Sequence, residues 1–183
     1  MTSGHEEEYA PVSPPPTDEE LVEKVADGDV AAFGVLAERL APRLRRVLFR
    51  LGLSEAAIED IVQDTLVKVW QGSAGFEGRS AVSTWACRIA LNRALSALRA
   101  HRVEVPWEPM AVLDTEAVWE SRRQAEAVRE AVLELPAPLR AVIVLREYEG
   151  CSYRSIAQAL GIPIGTVMSR LHAARSRLRR RLE

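Results

Sequence analysis

Apolar residues return every three or four positions along nearly the whole chain, and no stretch alternates apolar with polar as a half-buried strand does. The spacing breaks at Gly28, Pro42, Gly52, Gly72 to Gly78, Pro136 to Pro138, Gly150 and Gly161, which predicts helix ends there. Stripes at this spacing are buried by packing helix on helix, so the expected fold class is all-α. With 183 residues the chain has length for one or two such domains.

Charge is distributed unevenly over that pattern. The totals nearly balance, with 24 Lys and Arg against 26 Asp and Glu. The first twenty residues hold Glu6, Glu7, Glu8, Asp18, Glu19 and Glu20 with no base, so the rest of the chain carries a net +4. Pro11 and the run Pro14-Pro15-Pro16 fall in the same stretch, which predicts an acidic tail with polyproline character. A second acidic zone, "VEVPWEPMAVLDTEAVWE", begins at Val103 and has no base. Residues before Pro106 and Pro109 are pushed away from helix, so an extended, flexible linker is expected, with helix resuming near Thr115. The predicted organisation is therefore a tail at 1–17, a helical domain at 18–102, a linker at 103–114 and a second helical domain at 115–183.

Several function classes find no support in these residues. Cys87 and Cys151 stand far apart beside only His5, His101 and His172, so neither a zinc site nor any other metal or cofactor is expected. No glycine-rich phosphate loop and no nucleophile–base spacing is present, and an enzyme is not expected. No apolar run reaches the roughly 18 residues of a membrane span, and the acidic start is unlike a signal peptide, so no membrane insertion and a cytoplasmic location are expected.

The C-terminal block carries the clearest local signal. "SYRSIAQALGIPIGTVMSRLHAARSRL" reads as a helix capped by Ser152, a left-handed Gly161, and a second helix opened by Pro163. Two helices joined in this way form a DNA-binding helix-turn-helix. At about 100° per residue, Val167, Leu171, Ala174 and Leu178 of the second helix face the core. Thr166, Ser169, His172, Ala173, Ser176 and Arg180 face outward, flanked by Arg170, Arg175, Arg177 and Arg179. Small polar residues between arginines suit base edges in the middle and phosphates at the sides. A solvated arginine face on a terminal helix is the plainer alternative.

Two faces of the N-terminal block need explanation. In "AAIEDIVQDTLVKVWQ" the stripe Ile58, Ile61, Val62, Thr65, Leu66 and Val69 is expected to be buried, which leaves Asp60, Gln63, Asp64, Val67 and Gln71 outside. Acids around one apolar residue make a patch suited to a basic protein surface, although a solvated face is an equal reading. In "STWACRIALNRALSALR" the core side is Cys87, Ala90, Leu91, Ala94, Leu95 and Leu98. Trp85, Ile89, Asn92 and Ser96 lie opposite, bordered by Arg88, Arg93 and Arg99. An aromatic beside arginines stacks unpaired bases and holds their backbone. The preceding loop "SAGFEGRSAVS" can close over a flipped-out base; alternatively, Trp85 packs under Phe76 and Val82 and simply pins that loop.

Taken in order, "DIVQDTLVKVWQ", "GFEGRSAVSTWACRIALNRALSALR" and "LPAPLRAVIVLREYEGCSYRSIAQALGIPIGTVMSRLHAAR" closely resemble the extracytoplasmic-function (ECF) sigma factors of bacterial RNA polymerase, over roughly residues 18–181. The resemblance implies that Asp60, Gln63, Asp64 and Val67 dock on the β′ clamp helices of the core enzyme. It implies that Phe76, Arg79, Ser80, Val82, Trp85, Arg88 and Asn92 melt and hold the −10 element. Thr166, Ser169, Arg170, His172 and Arg175 would read the −35 element. The β flap, promoter DNA and an anti-sigma factor are the further partners it implies, and the acidic linker would thread toward the active-site cleft and RNA exit channel. Met168, Ala173, Val82, Ser96 and the order of Glu77 and Arg79 depart from the usual pattern, so promoter sequence does not transfer. A helix-turn-helix regulator acting without polymerase is the rival reading.

Overall fold

The computed structural model describes residues 14–100 and 116–183. The predicted linker and most of the predicted tail lie outside the described residues. The described residues form eight α-helices: α1 (Asp18–Ala26), α2 (Val30–Arg50), α3 (Glu55–Gly72), α4 (Val82–Ala100), α5 (Glu116–Glu134), α6 (Ala137–Ile143), α7 (Tyr153–Leu160) and α8 (Ile164–Leu182). A short 3-10 turn, Ser73–Gly75, follows α3, and a π turn, Val144–Tyr148, extends α6.

Local chemistry sets most of the boundaries. Thr17 and Glu20 form a reciprocal capping box on α1: the Thr17 hydroxyl accepts from the Glu20 amide at 3.2 Å and the Glu20 carboxylate accepts from the Thr17 amide at 2.8 Å. Asp29 and Ser54 cap α2 and α3 through their side-chain oxygens. Pro42 does not end a helix as its residue type predicts; α2 runs through it from Val30 to Arg50. An interior proline costs about 3 kcal/mol. Here the burial of Leu36, Leu40, Leu44, Val47 and Leu48 on one continuous stripe outweighs that cost.

In the N-terminal half, α1 to α4 bury Leu21, Val22 and Val25 of α1, the α2 stripe, Ile58, Ile61, Val62 and Val69 of α3, and Ala86, Ala90, Leu91 and Ala94 of α4. In the C-terminal half, α5 to α8 enclose Val132, Leu135, Ala141 to Leu145, Ile156, Val167, Leu171 and Ala174. Leu66, Leu95, Leu98 and Leu178, expected in the core, are only partly buried at its edge.

The halves are not separate. α4 packs on α7 and, less extensively, on α6, and the buried residues of both halves form one cluster. The turn after α2 meets α5 so closely that a Cβ on Gly52 would lie 2.7 Å from Leu133 Cδ2, and Gly52 has φ +80°. From α6, the Arg140 guanidinium donates to the Leu51 carbonyl and to the Leu135 carbonyl. Burial pushes that guanidinium below the usual arginine range. Among the described residues, no helix is long and apolar enough to cross a membrane.

Candidate nucleic-acid interface

α7 and α8 are joined as their sequence specifies. The Ser152 hydroxyl accepts from the Ser155 amide at 3.1 Å, and Gly161 adopts φ +63°. Val167, Leu171 and Ala174 anchor α8 against the core. Ser169, His172 and Arg175 are exposed, with Thr166 and Arg170 half-buried at the margin. Arg175 is not free toward solvent: its Nη2 lies 2.7 Å from Glu147 Oε1, which raises its pKa further. Arg181 is likewise held by Glu134 at 2.8 Å. Met168 and Ile164 are exposed on the same helix, 54% and 46%, and add apolar area beside the polar stripe.

The second surface lies at the N-terminal end of α4. Phe76 and Trp85 pack with ring centroids 5.0 Å apart at 37°, and a Cβ on Gly72 would come within 3.1 Å of the Trp85 ring. Trp85 therefore does pin the loop, and it does so at the wall of an open cavity of about 510 Å³ lined also by Arg79, Ser80, Thr84 and Arg88. Val82, expected among the DNA contacts, is wholly buried. As the first residue of α4 it fixes the loop from the core side and cannot touch DNA in this arrangement. Asn92 is exposed two turns along α4 from Trp85. Arg79 pairs with Glu77 at 2.7 Å in solvent. Two cavity residues escaped sequence reasoning: Thr84, one position before the aromatic anchor, and Gln158 of α7, whose Nε2 donates to the Arg79 carbonyl at 3.4 Å. No local pattern announces Gln158, because it arrives from the other half.

On the outer face of α3, Asp60, Gln63, Asp64 and Val67 are all exposed, Val67 by 52%. Asp64 pairs with Arg93 of α4 at 3.1 Å, so this acidic patch adjoins the outer face of α4.

One cluster lies outside all three faces. Glu149, after the π turn, approaches Arg50 at 2.7 Å and Arg43 and Arg46 at 3.6 Å, and its side chain is 6% exposed. The spacing of three arginines along one face of α2 was the signal available in the sequence. Cys87 and Cys151 are free thiols. Burial pushes Cys87 up to about 11 and also raises Cys151.

The family described as Sigma-70 region 2 matches residues 36–103, and Sigma-70 region 4 matches residues 125–178. The ECF RNA polymerase sigma-E factor of Haemophilus influenzae is 34% identical over 91% of this chain and 96% of its own length. The RNA polymerase sigma-H factor of Pseudomonas aeruginosa is 32% identical over 91% and 94%. Among solved structures, CnrH in complex with the cytosolic domain of CnrY superimposes with a TM-score of 0.67 at 28% identity, covering 89% of this chain and 95% of that one. The sigma factor RpoE of Bartonella quintana, in complex with the anti-sigma factor NepR, gives 0.67 and 28% over 84% and 98%.

Proposed function

The chain belongs to the ECF sigma factors of bacterial RNA polymerase, and from that premise we infer which of its surfaces performs each step. A sigma factor binds core polymerase, directs it to a promoter and melts the DNA; the questions specific to this chain are where duplex is read and where the open strand is held.

The outer face of α8 reads the −35 duplex. Ser169 and His172 meet base edges, Thr166 and Arg170 lie at the rim, and exposed Met168 meets a thymine methyl. Arg175 reaches phosphate by exchanging Glu147 for the backbone. The cavity beside Trp85 holds an unpaired base of the −10 element. Stacking on the Phe76–Trp85 pair supplies about 1–3 kcal/mol per base, comparable with the few kcal/mol needed to extrude one from the duplex. Ser80 and Thr84 offer hydrogen bonds to the base, and Arg79 and Arg88 face its phosphates. Asn92 extends the track along α4. Asp60, Gln63, Asp64 and Val67 dock on the clamp helices of β′, and the region 4 half meets the β flap. The side chains make and break no covalent bond; they contribute binding energy alone.

The observation that carries this reading is the cavity: an aromatic pair walled by arginines, in the same chain as a helix-turn-helix. A regulator acting on duplex alone leaves it unused. We further infer an anti-sigma factor as a partner, because CnrH and the Bartonella RpoE were each solved with such a chain or a cytosolic domain bound.

The experiment is run-off transcription on fragmented genomic DNA with core polymerase, with and without this protein. Transcripts that depend on the protein and start at a fixed distance from a shared two-part sequence are expected. Tight duplex binding by the protein alone, without such transcripts, would overturn the assignment in favour of the stand-alone regulator.

A further inference from the structure

Of the large apolar side chains left exposed, Val67 sits in the acidic patch, and Ile164 and Met168 lie on α8 beside its polar stripe. Three others converge on a place that no step of the proposed function touches. Phe49 near the end of α2, Val128 in α5 and Tyr148 in the π turn are 46%, 38% and 41% exposed. All three line a cleft of about 650 Å³ between α2 and α5. That size falls within the roughly 300–1,000 Å³ of small-molecule sites, which combine an apolar lining with a few convergent polar groups.

The two helices that wall the cleft converge at one end. Just past α2, a Cβ on Gly52 would lie 2.7 Å from Leu133 Cδ2, and Arg140 donates to the Leu51 carbonyl there. About one turn back, the Arg129 guanidinium of α5 lies 5.1 Å from the Phe49 ring centroid. A further turn back, Arg46 and Gln124 form the rim. A helix laid lengthwise in the cleft would run into the contact between Gly52 and Leu133. A small molecule entering beside Arg46 would not.

The charge of the lining has one sign. Arg46, Arg50 and Arg129 contribute to it, and among the described residues no acid does. Glu149 meets Arg50 at 2.7 Å and Arg46 at 3.6 Å from behind the wall, with its side chain 6% exposed. At about 100° per residue, Glu126 and Glu130 fall on the side of α5 away from Val128 and Val132. Arg46 is 53% exposed and less closely held than Arg50. A guanidinium carries five N–H donors, so Arg46 keeps capacity for a second anion. An inorganic anion would cover the arginines and leave the apolar walls wet, whereas a neutral hydrocarbon would leave the cations unanswered.

We propose that this cleft binds a small hydrophobic carboxylic acid as its anion. An acyl or aryl body lies against Phe49, Val128, Val132 and Tyr148, and the carboxylate accepts hydrogen bonds from Arg46. The site lies apart from α8, the Trp85 cavity and the outer face of α3, so its occupant is a chemical effector of the protein, distinct from promoter and core enzyme.

The test is calorimetric titration of the full chain alone with decanoate and with phenylbutanoate, which distinguish an acyl from an aryl body. Saturable binding of at least one of them, at one site per chain, is expected. The matching neutral alcohol should bind roughly tenfold more weakly or worse, the size of one charge-assisted hydrogen bond. Backbone amide resonances of Ala125, Val128 and Val132 should shift on binding. Arg46→Gln should weaken the carboxylate by a similar factor and leave the alcohol unchanged, a split that a purely structural role for Arg46 would not produce. Val128→Asp sets an acid among the walls at an exposed position; it should abolish carboxylate binding with far-UV circular dichroism unchanged, and it serves if Arg46→Gln does not fold. Equal affinity for acid and alcohol would overturn the anion site and leave a plain apolar cleft. Undiminished binding in both variants, or shifts confined to other helices, would place the ligand elsewhere and sink the proposal. If neither carboxylate saturates, the small-molecule site is wrong and the cleft belongs to a protein surface. No readout involves polymerase or DNA, so the site stands or falls independently of the proposed function.

Discussion

α8 and α4 both present arginines beside polar residues, but the two helices are built for different states of DNA. On α8 the outward face sets Ser169 and His172 beside exposed Met168, the guanidiniums lie at the edges, and no Phe, Tyr or Trp is present; the face is convex and fits a groove. At α4 an aromatic pair walls a cavity and the arginines stand at its mouth. A duplex offers no base face to stack on, and a single strand offers no groove to enter. The contrast teaches that the shape between the cations, more than their number, decides which form of nucleic acid is held.

The change that most directly breaks this contrast is Trp85→Ala. Stacking is lost, and so is the contact with Phe76 and Gly72 that shapes the loop. Permanganate footprinting of promoter opening should fall by roughly tenfold or more, from the 1–3 kcal/mol of one stacked base, with core polymerase binding retained. Equal losses in both assays would reduce Trp85 to a packing residue.

Next in size is Gly161→Val, in the turn that ends α7 and leads into α8. At φ +63° a side chain costs about 1–2 kcal/mol, and a β-branched one does worse. Duplex binding at the −35 element and the thermal midpoint should both drop, while single-strand binding holds. If strand binding fell equally, the halves would be energetically one unit and the contrast would dissolve.

These two positions also show what could be seen from the chain alone. Gly161, Ser152 and the stripe Val167, Leu171 and Ala174 are legible because each acts within a few residues of its partner. Pro42 misled because its local penalty is outweighed by burial along a 21-residue helix, a sum no single residue reveals. The resemblance sets Val82 on the DNA side although it is the first buried residue of α4, and a loop-to-helix junction has no periodicity to orient it otherwise. The arginine spacing on α2 is legible, but its acid partner Glu149 is not, and neither is Gln158 at the cavity, because their partners lie 99 and 79 positions away.

Smaller effects sharpen the picture within α8. Arg170 has no ion pair among those of the described residues, whereas Arg175 is held by Glu147. Arg170→Ala should weaken −35 binding and make the salt dependence shallower by about one unit of slope. Arg175→Ala should cost less, because wild-type binding already includes breaking the pair with Glu147. A larger loss at Arg175 would mean that the carboxylate positions the guanidinium for phosphate rather than competing with it.

The smallest expected effect lies where the two N-terminal faces meet. Arg93 leaves the outer side of α4 and pairs with Asp64 of the acidic patch at 3.1 Å, with both side chains at least half exposed. An exposed pair of this kind contributes at most about 1 kcal/mol, so Arg93→Ala should leave the thermal midpoint nearly unchanged. Its binding effects should have opposite signs on the two faces. Strand binding loses one cation, while Asp64 is released to meet a basic partner, so affinity for core polymerase should hold or rise slightly. If core affinity instead falls as far as it does in Asp64→Ala, Arg93 is the residue that aims the carboxylate. The acidic patch and the strand-holding face would then be one continuous surface divided between protein and DNA.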